Sequence, residues 1–444
     1  MPTTETIAAI ATPPGVGGIG IIRISGPLAR HIGEALTQSQ LLDKRVQFRP
    51  FYNADKELID HGICFYSAAP HSFSGEDVVE IQGHGGPILL DMLLERICEL
   101  GARLARAGEF SERAFINGKL DLAQAEAIAD LIESGSRAAA KAAMRSLQGE
   151  FSSQIRALVE DIINLRAYVE AALDFAEEEI DFLADKNITI KLQACQQNIA
   201  GILKQAEQGR ILKEGLSLVL AGLPNAGKSS LLNYLAGYEA AIVTDIPGTT
   251  RDVLREHISL KGIPLRVHDT AGLRESDNPV EKEGIKRAWQ EIKQADTVLL
   301  LVDATTGITP ADAEIVDQLK DINFHLVYSK LDLLPAGAQK EPNAEYISTD
   351  SGEGVEKLID LITGKTPDFN QDNQTILARR RHIDALQQAM VNLNQAYSVF
   401  TETGSGELMA EDLRLAQNHL SEITGEFTSE DLLGAIFSRF CVGK

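Results

Sequence analysis

The segment Gly222-Leu-Pro-Asn-Ala-Gly227-Lys228-Ser229 carries the densest chemical information in this 444-residue chain. It matches GxxxxGK[ST], with an apolar run over 216–221 before it and a helical pattern, Ser230-Leu-Leu-Asn-Tyr-Leu, after it. Glycines let the backbone curl so that several N–H groups converge on phosphate oxygens, and the following helix presents its positive end. In such a loop Asn225, Ala226, Gly227, Lys228, Ser229 and Ser230 surround the phosphates. Lys228 would reach the β- and γ-phosphates, as a binding and a catalytic group, and the Ser229 hydroxyl would ligate magnesium.

Further pieces follow in a fixed order. Asp269-Thr270-Ala271-Gly272 closes an alternating run over 265–268. There an aspartate can hold magnesium through water and Gly272 can offer its N–H to the γ-phosphate. Between the two motifs lies Thr244-Asp245-Ile246-Pro247-Gly248-Thr249-Thr250, a loop with Thr250 placed for the metal and able to respond to the γ-phosphate. Ser329-Lys330-Leu331-Asp332 then follows the run 325–328, and Ser348-Thr349 fits a last loop backing a base. A carboxylate at Asp332 can accept two N–H bonds from guanine, and a site built that way rejects adenine. The conjunction implies a guanine-nucleotide-binding domain. Ser329 departs from the usual Asn-Lys-x-Asp, and its single short donor predicts weaker base contact.

Hydrolysis needs a group to orient water. Ras-like domains use a glutamine after the Asp-x-x-Gly turn, where this chain has Leu273. Glu281 is the first candidate and Glu283 the alternative, although Glu281 also suits the first turn of a helix simply as an acid. No arginine finger is evident. The Asn225 amide oxygen, with oxygens from the loop 244–249, could instead hold a hard monovalent cation beside the phosphates, or Asn225 could brace the loop.

The elements that must position these groups have three textures. Residues 1–118 mix short alternating runs such as Gly20-Ile-Ile-Arg-Ile-Ser25 with glycine-rich turns, an α+β pattern. Residues 119–212 turn to long alanine- and glutamate-rich stretches in which Ile155, Leu158, Ile162, Leu165, Val169 and Leu173 draw one helical stripe. Residues 213–370 alternate continuous apolar runs with helical patterns, implying a mostly parallel sheet covered on both faces. Helical texture resumes over 371–444 after the polar stretch Asn370-Gln-Asp-Asn-Gln374. The expected architecture is multi-domain α/β plus α, with the α/β block inserted into a discontinuous helical domain so that its ends lie close together.

Composition bounds the function. Hydrophobic residues make up 44% of the chain, enough for a real core. No apolar run approaches the roughly 18 residues of a membrane span, and the start lacks the regions of a signal peptide. The four cysteines are scattered with no CxxC pair, which disfavours a disulfide framework or structural zinc. The expectation is a cytoplasmic protein with no membrane role. A net charge of −22 argues against indiscriminate nucleic-acid binding, so any RNA contact must be patch-like.

These residues together resemble the MnmE (TrmE) family of tRNA-modifying GTPases over essentially the full length. The resemblance rests on Ala11-Thr-Pro-Pro-Gly15 with Gly20-Ile-Ile-Arg23-Ile-Ser-Gly26, on Gly75-Glu-Asp-Val-Val-Glu80, and on Gly108-Glu-Phe-Ser-Glu-Arg-Ala-Phe115 with Asn117-Gly-Lys119. Gly248-Thr-Thr-Arg-Asp252, Asp269-Thr-Ala-Gly-Leu-Arg274 and the terminal Phe440-Cys-Val-Gly-Lys444 complete it. It implies an N-terminal domain that dimerises and binds a 5-formyl- or methylene-tetrahydrofolate through Arg23, Glu80, Lys119 and Lys444. It also implies an inserted Ras-like G domain that hydrolyses GTP on pairing with a second copy. Asn225, Thr244, Ile246 and Thr249 take the family's potassium positions, Ser229 and Thr250 its magnesium positions, and Glu281 that of its catalytic acid. Members act in a heterotetramer with the FAD protein MnmG (GidA) to place an aminomethyl or carboxymethylaminomethyl group on C5 of the wobble uridine, position 34, of certain tRNAs. Cys441 matches a terminal cysteine linked to that modification.

Other patterns are set aside. Gly15-Val-Gly-Gly-Ile-Gly20 satisfies GxGxxG, but a strand pattern follows where a dinucleotide site needs a helix. Cys441-Val-Gly-Lys444 is a poor prenylation box. His84, flanked by glycines, reads as a turn residue. Arg379-Arg380-Arg381-His382 starts the last helical stretch and suits either tRNA phosphates or a salt-bridged surface. The rival functions are a regulatory switch GTPase in ribosome assembly, which needs no folate pocket, and a scaffold for the flavoprotein, which needs no Glu281.

Overall fold

The computed structural model describes residues 5–134, 137–174, 186–238, 257–261, 263–269, 289, 292–293, 295–320, 322–335, 340–341, 344–364, 376–426, 430–438, 440 and 443. They fall into two compact units. One comprises Met1–Glu133, Ala143–Ile202 and Asp384–Lys444, the other Ser134–Ala142 and Leu203–Ile383. The polar stretch 370–374 and the acidic run Glu177-Glu178-Glu179 lie outside the described residues.

The first unit opens with β1 (Ile7–Ile10), β2 (Gly17–Ser25), α1 (Ala29–Thr37), β3 (Val46–Tyr52), β4 (Leu58–Ser67), β5 (Val78–Gly85), α2 (Pro87–Glu99) and β6 (Arg103–Leu104). The strands form one sheet in the order β3-β4-β5-β2-β1-β6, antiparallel except for β1 beside β6. Side chains alternate across a strand, so Ile22, Ile24, Val79 and Ile81 share a face. That face is closed by Ile32 and Leu36 of α1 and Leu93 and Ile97 of α2. On the other face Phe110, from α3 (Glu109–Ile116), packs with Ile7 and Ala9. Further along, Val46 and Phe48 are 68% and 67% exposed.

The strand β2 runs straight out of the Gly15–Gly20 glycine cluster, as its rejection as a dinucleotide loop requires. His84 corrects an expectation. It lies within β5 rather than in a turn, and its Nδ1 is 2.8 Å from Asp60 Oδ1. The glycines around it serve close packing: a Cβ on Gly85 would come within 2.7 Å of the Gly17 and Ile19 carbonyls, and one on Gly83 within 2.6 Å of Asp60 Oδ2.

Helices complete this unit. The helix α4 (Leu122–Ile132) begins at an Asp121/Gln124 capping box, which satisfies two N–H groups that a helix start leaves unpaired. After α5 (Arg137–Leu147) comes α6 (Glu150–Asp174), whose stripe Ile155, Leu158, Ile162, Leu165 and Val169 is buried. Each such side chain contributes about 1.5–3 kcal/mol. Gly406–Thr424 packs along α6, with Arg166 donating to Gln417 Oε1 at 2.7 Å. Gln196 of α7 (Lys186–Glu214) donates to Asn394 Oδ1, on the helix Arg380–Thr403, at 2.9 Å.

The second unit is built on β7 (Leu216–Ala221), α8 (Lys228–Tyr238), β8 (His257–Leu260), β9 (Ile263–Asp269), β10 (Thr297–Asp303), β11 (Phe324–Ser329) and β12 (Glu345–Tyr346). The sheet order is β12-β11-β10-β7-β9-β8, parallel except for the β8–β9 pair. One face packs Leu218, Leu220, Leu299 and Leu301, and the other Val219, Ala221, Val298 and Leu300. Both faces are covered, which is why these strands read as unbroken apolar runs. A Cβ on Gly209 of α7 would lie 1.7 Å from the Ile376 carbonyl oxygen. The chain segments that enter and leave this block therefore touch. Arg210 Nη2 is 2.5 Å from Asp296 Oδ1 just before β10, and Asp296 Oδ2 accepts from the Ser217 N–H at 2.8 Å.

Candidate functional site

The phosphate loop joins the C-terminal end of β7 to the first turn of α8, the end of a parallel strand where open α/β sheets bind ligands. Gly222 has φ 138°, and a Cβ there would lie 2.4 Å from the Leu301 carbonyl oxygen, so the turn requires glycine. Asn225 at φ 68° and Gly227 at φ 89° both adopt the left-handed conformation that curls the loop. Lys228 bends back over the loop and donates from Nζ to Gly222 O at 2.8 Å and Leu223 O at 3.1 Å. Its ammonium thus stands at the loop beside the N–H groups of the first turn of α8, which have no intrahelical acceptor. Asn225, Ser229 and Ser230 are exposed, and Ala226 is buried.

The residues expected on the base side lie at and just beyond the ends of β10, β11 and β12. Ser329 is the last residue of β11, pairs in register with Asp303 of β10, and is 4% exposed. Its Oγ donates to Ala226 O at 2.8 Å and lies 3.3 Å from Val302 O. Lys330 turns left-handed at φ 59°, and its Nζ donates to Asp303 Oδ2 at 2.6 Å. Burial would raise the Asp303 carboxyl, but Lys330 and Thr305 hydrogen bonds outweigh it and hold it below the usual range. Ser348, fully buried, donates from Oγ to Asp332 Oδ1 at 2.6 Å. Asp332 is itself exposed and Thr349 half-buried. The sequence pattern singled out Lys330 and Asp332 but not Asp303, which ends an apolar strand, carries no motif of its own and pairs with Lys330.

Asp269 ends β9 in register with Leu220 of β7, one strand from the loop. Thr244, Asp245, Ile246, Pro247, Gly248, Thr249, Thr250, Thr270, Ala271, Gly272, Leu273, Glu281, Glu283, Cys441 and Lys444 lie outside the described residues. Of the residues expected to hold magnesium only Ser229 is described, and its exposed hydroxyl at the start of α8 is the kind of oxygen donor such an ion takes.

In the first unit Arg23 and Glu80 face each other across β2 and β5, with Nε donating to Oε1 at 2.9 Å. The Arg23 guanidinium lies 5.5 Å from the Phe73 ring centre and 5.7 Å from that of Phe110, an arrangement that favours a cation. Lys119 donates from Nζ to Pro70 O at 3.0 Å and borders a cavity of about 280 Å³ shared with Asp121, Gln124 and Arg156. Arg23, Glu80 and Lys119 thus flank one loop, 70–77. A Cβ on Gly443 would lie 2.5 Å from Ile10 O, so Gly443 lies beside β1, the strand next to Arg23.

The motif letters also conceal a buried ionic network. Arg113, 2% exposed, donates to Glu76 Oε2 at 2.9 Å, to Glu109 Oε1 at 3.1 Å and to Glu5 O at 2.9 Å. Arg103 holds Glu109 with two bonds of 2.6 and 2.9 Å. Burial would raise the Glu109 carboxyl; Arg103, the Arg106 N–H and Arg113 more than offset this and hold it down at about 2. Glu76 also accepts from Ser25 Oγ at 2.7 Å. This network fixes loop 70–77 to α3 and β2.

Comparison with known proteins agrees with this geometry. The model described as "GTP-binding protein TrmE N-terminus" matches residues 6–119, and "MnmE helical domain" matches residues 122–441. A curated tRNA modification GTPase MnmE of Vibrio cholerae is 52% identical over 452 residues, covering 100% of both chains. One from Legionella pneumophila is 53% identical over 449 residues, covering 99% of each. Identity at this level over whole chains of equal extent leaves one assignment: the chain belongs to the tRNA modification GTPase MnmE family.

Proposed function

We propose that this chain binds and hydrolyses GTP and, as its homologues' name states, serves tRNA modification. The observation that carries the reading is one end of one parallel sheet. There the phosphate loop with Lys228 follows β7 and the turn bearing Asp332 follows β11, with β10 between them, so receptors for triphosphate and guanine stand two strands apart at the same end of the sheet. Lys228 and the first-turn N–H groups of α8 bind and orient the phosphates, and Asp332, held by Ser348, accepts from guanine. Glu281 is the proposed catalytic acid, acting on the attacking water. Ser229 and Thr250 would hold magnesium, and Asn225, Thr244, Ile246 and Thr249 potassium; bound there, the monovalent cation would supply positive charge beside the phosphates where an arginine finger would otherwise sit.

The finer reading completes the scheme. The proposed domains are 1–118, 119–212 with 371–444, and 213–370. Arg23, Glu80, Lys119 and Lys444 bind a tetrahydrofolate that supplies a one-carbon unit. MnmG is the partner, C5 of the wobble uridine is the target, Cys441 takes part in the modification, and the cytoplasm is the site of action. Support comes from the Arg23–Glu80 pair, from Lys119 clasping the loop 70–77, and from Gly443 beside β1. A homodimer is supported by the exposure of Val46 and Phe48 on the edge strand β3. Among the described residues no helix is long and apolar enough to cross a membrane.

Two measurements test the proposal. GTP hydrolysis by the purified chain should be at least tenfold faster in potassium than in sodium, and equal rates would remove the cation assignment. Nucleosides from cells lacking this chain should be short of the C5-substituted wobble uridine. An unchanged nucleoside profile would leave a GTPase with another task.

A further inference from the structure

Ser329 stands where a nucleotide site of this kind has its first side-chain donor to the base, yet its hydroxyl is engaged elsewhere. Its Oγ is 2.8 Å from Ala226 O in the phosphate loop, and the residue is 4% exposed. Ser329 also lies against the loop's last glycine: a Cβ on Gly227 would sit 3.2 Å from both Cβ and Oγ of Ser329. A serine hydroxyl has one hydrogen, whereas the N7/O6 edge of guanine presents only acceptors. The hydrogen donated to Ala226 O is therefore not available to the base. The rest of the base site is held independently of it, Lys330 by Asp303 and Asp332 by Ser348.

We infer that Ser329 is a positioning residue that ties the base-side loop to the phosphate loop, and that guanine is selected through Asp332 with no donor given to N7. This rests on the nucleotide reading above. Phosphate grip and base choice then belong to different residues. Removing the Ser329 hydroxyl frees the Ala226 carbonyl and slackens the phosphate loop, which weakens every ligand held by its phosphates. It leaves base preference as it was.

The test uses the full chain and three ligands: GDP, 7-deaza-GDP, in which a C–H replaces N7, and inorganic pyrophosphate, which has no base. Ser329→Ala should weaken GDP and pyrophosphate by a common factor of about five to ten, the worth of one buried hydrogen bond. Loss confined to GDP would make Ser329 a base contact and overturn the inference, as would no loss for either ligand. The unaltered protein supplies a second measurement that needs no variant. It should bind 7-deaza-GDP within about twofold of GDP, and a tenfold deficit would overturn the inference. A chain that binds none of the three ligands would refute the nucleotide reading itself, a distinguishable result.

Discussion

In the proposed base site Asp332 is the single side chain that sets the choice of ligand. One carboxylate oxygen accepts from Ser348 at 2.6 Å, which fixes the group while its remaining lone pairs stay free for N–H donors on a base. Asp332→Asn replaces an acceptor by a donor at the same volume. GTP affinity should fall about a hundredfold and xanthosine triphosphate should gain, because an unmatched polar group in such a site is strongly penalised. Competition binding checks this, and unchanged discrimination against xanthosine or adenosine triphosphate would reject the base-site assignment. The motif that holds Asp332 stands out in the sequence because such spacing would be set by a ligand of fixed size. Ser329 was legible only as a departure; that its hydroxyl turns to Ala226, 103 positions away, depends on tertiary packing. His84 was misread for the same reason, since glycines that permit close strand pairing look like glycines that permit turns.

Elements were more readable than their joints. The apolar runs 216–221 and 325–328 and the stripe on α6 emerge nearly as the pattern predicts, because period alone decides which face is buried. What periodicity hides is how one element touches another. Gly209 lies within α7, where glycine ordinarily weakens a helix by about 1 kcal/mol relative to alanine. Here a Cβ would meet the Ile376 carbonyl oxygen at 1.7 Å, which reverses the sign. Gly209→Ala should lower stability by about 1–3 kcal/mol through overpacking, read as a lower urea midpoint, and a stabilised variant would contradict the close approach. The anchoring of α3 behaves similarly. The Glu109 carboxyl is buried, at 2% exposure, and held at about 2, below its ordinary 4.5. A lowered folded-state value means that the stabilisation is complete above about 4.5 and is lost as pH falls towards about 2. Glu109→Gln removes the counter-charge that Arg103 and Arg113 share, leaving Arg103 with Glu5 and Arg113 with Glu76, and should cost about 1–3 kcal/mol at pH 7. The gap between variant and parent should narrow below pH 4.5, and a gap that stays constant with pH would show that the network is not ionic.

At the scale of the whole molecule, composition correctly required a large folded chain, but its charge of −22 gives no location for tRNA, since a local patch is not visible in a sum. Assembly is better constrained. Val46 and Phe48 on edge strand β3 are mostly exposed, and on the same side of the sheet Ile63 and Phe65 are only half-buried. Among the described residues this apolar sheet face is left open, which suits the proposed pairing with a second copy. Hydrolysis, if it requires two G domains to meet, then gains from this association even without a new contact at the nucleotide. Two domains tethered in one dimer see each other at an effective concentration in the millimolar range for short flexible links, against micromolar protein in an assay. Phe48→Glu places a charge where an apolar ring would be buried, a change of several kcal/mol, and should give a monomer by sedimentation. Its GTP turnover per chain should fall at least tenfold at micromolar protein and climb as concentration rises, because encounter replaces tethering. A variant that stays dimeric would place self-association on another surface. A monomer that hydrolyses GTP at the parent rate, independent of concentration, would show that each G domain works alone and that the cation beside the phosphate needs no partner to hold it.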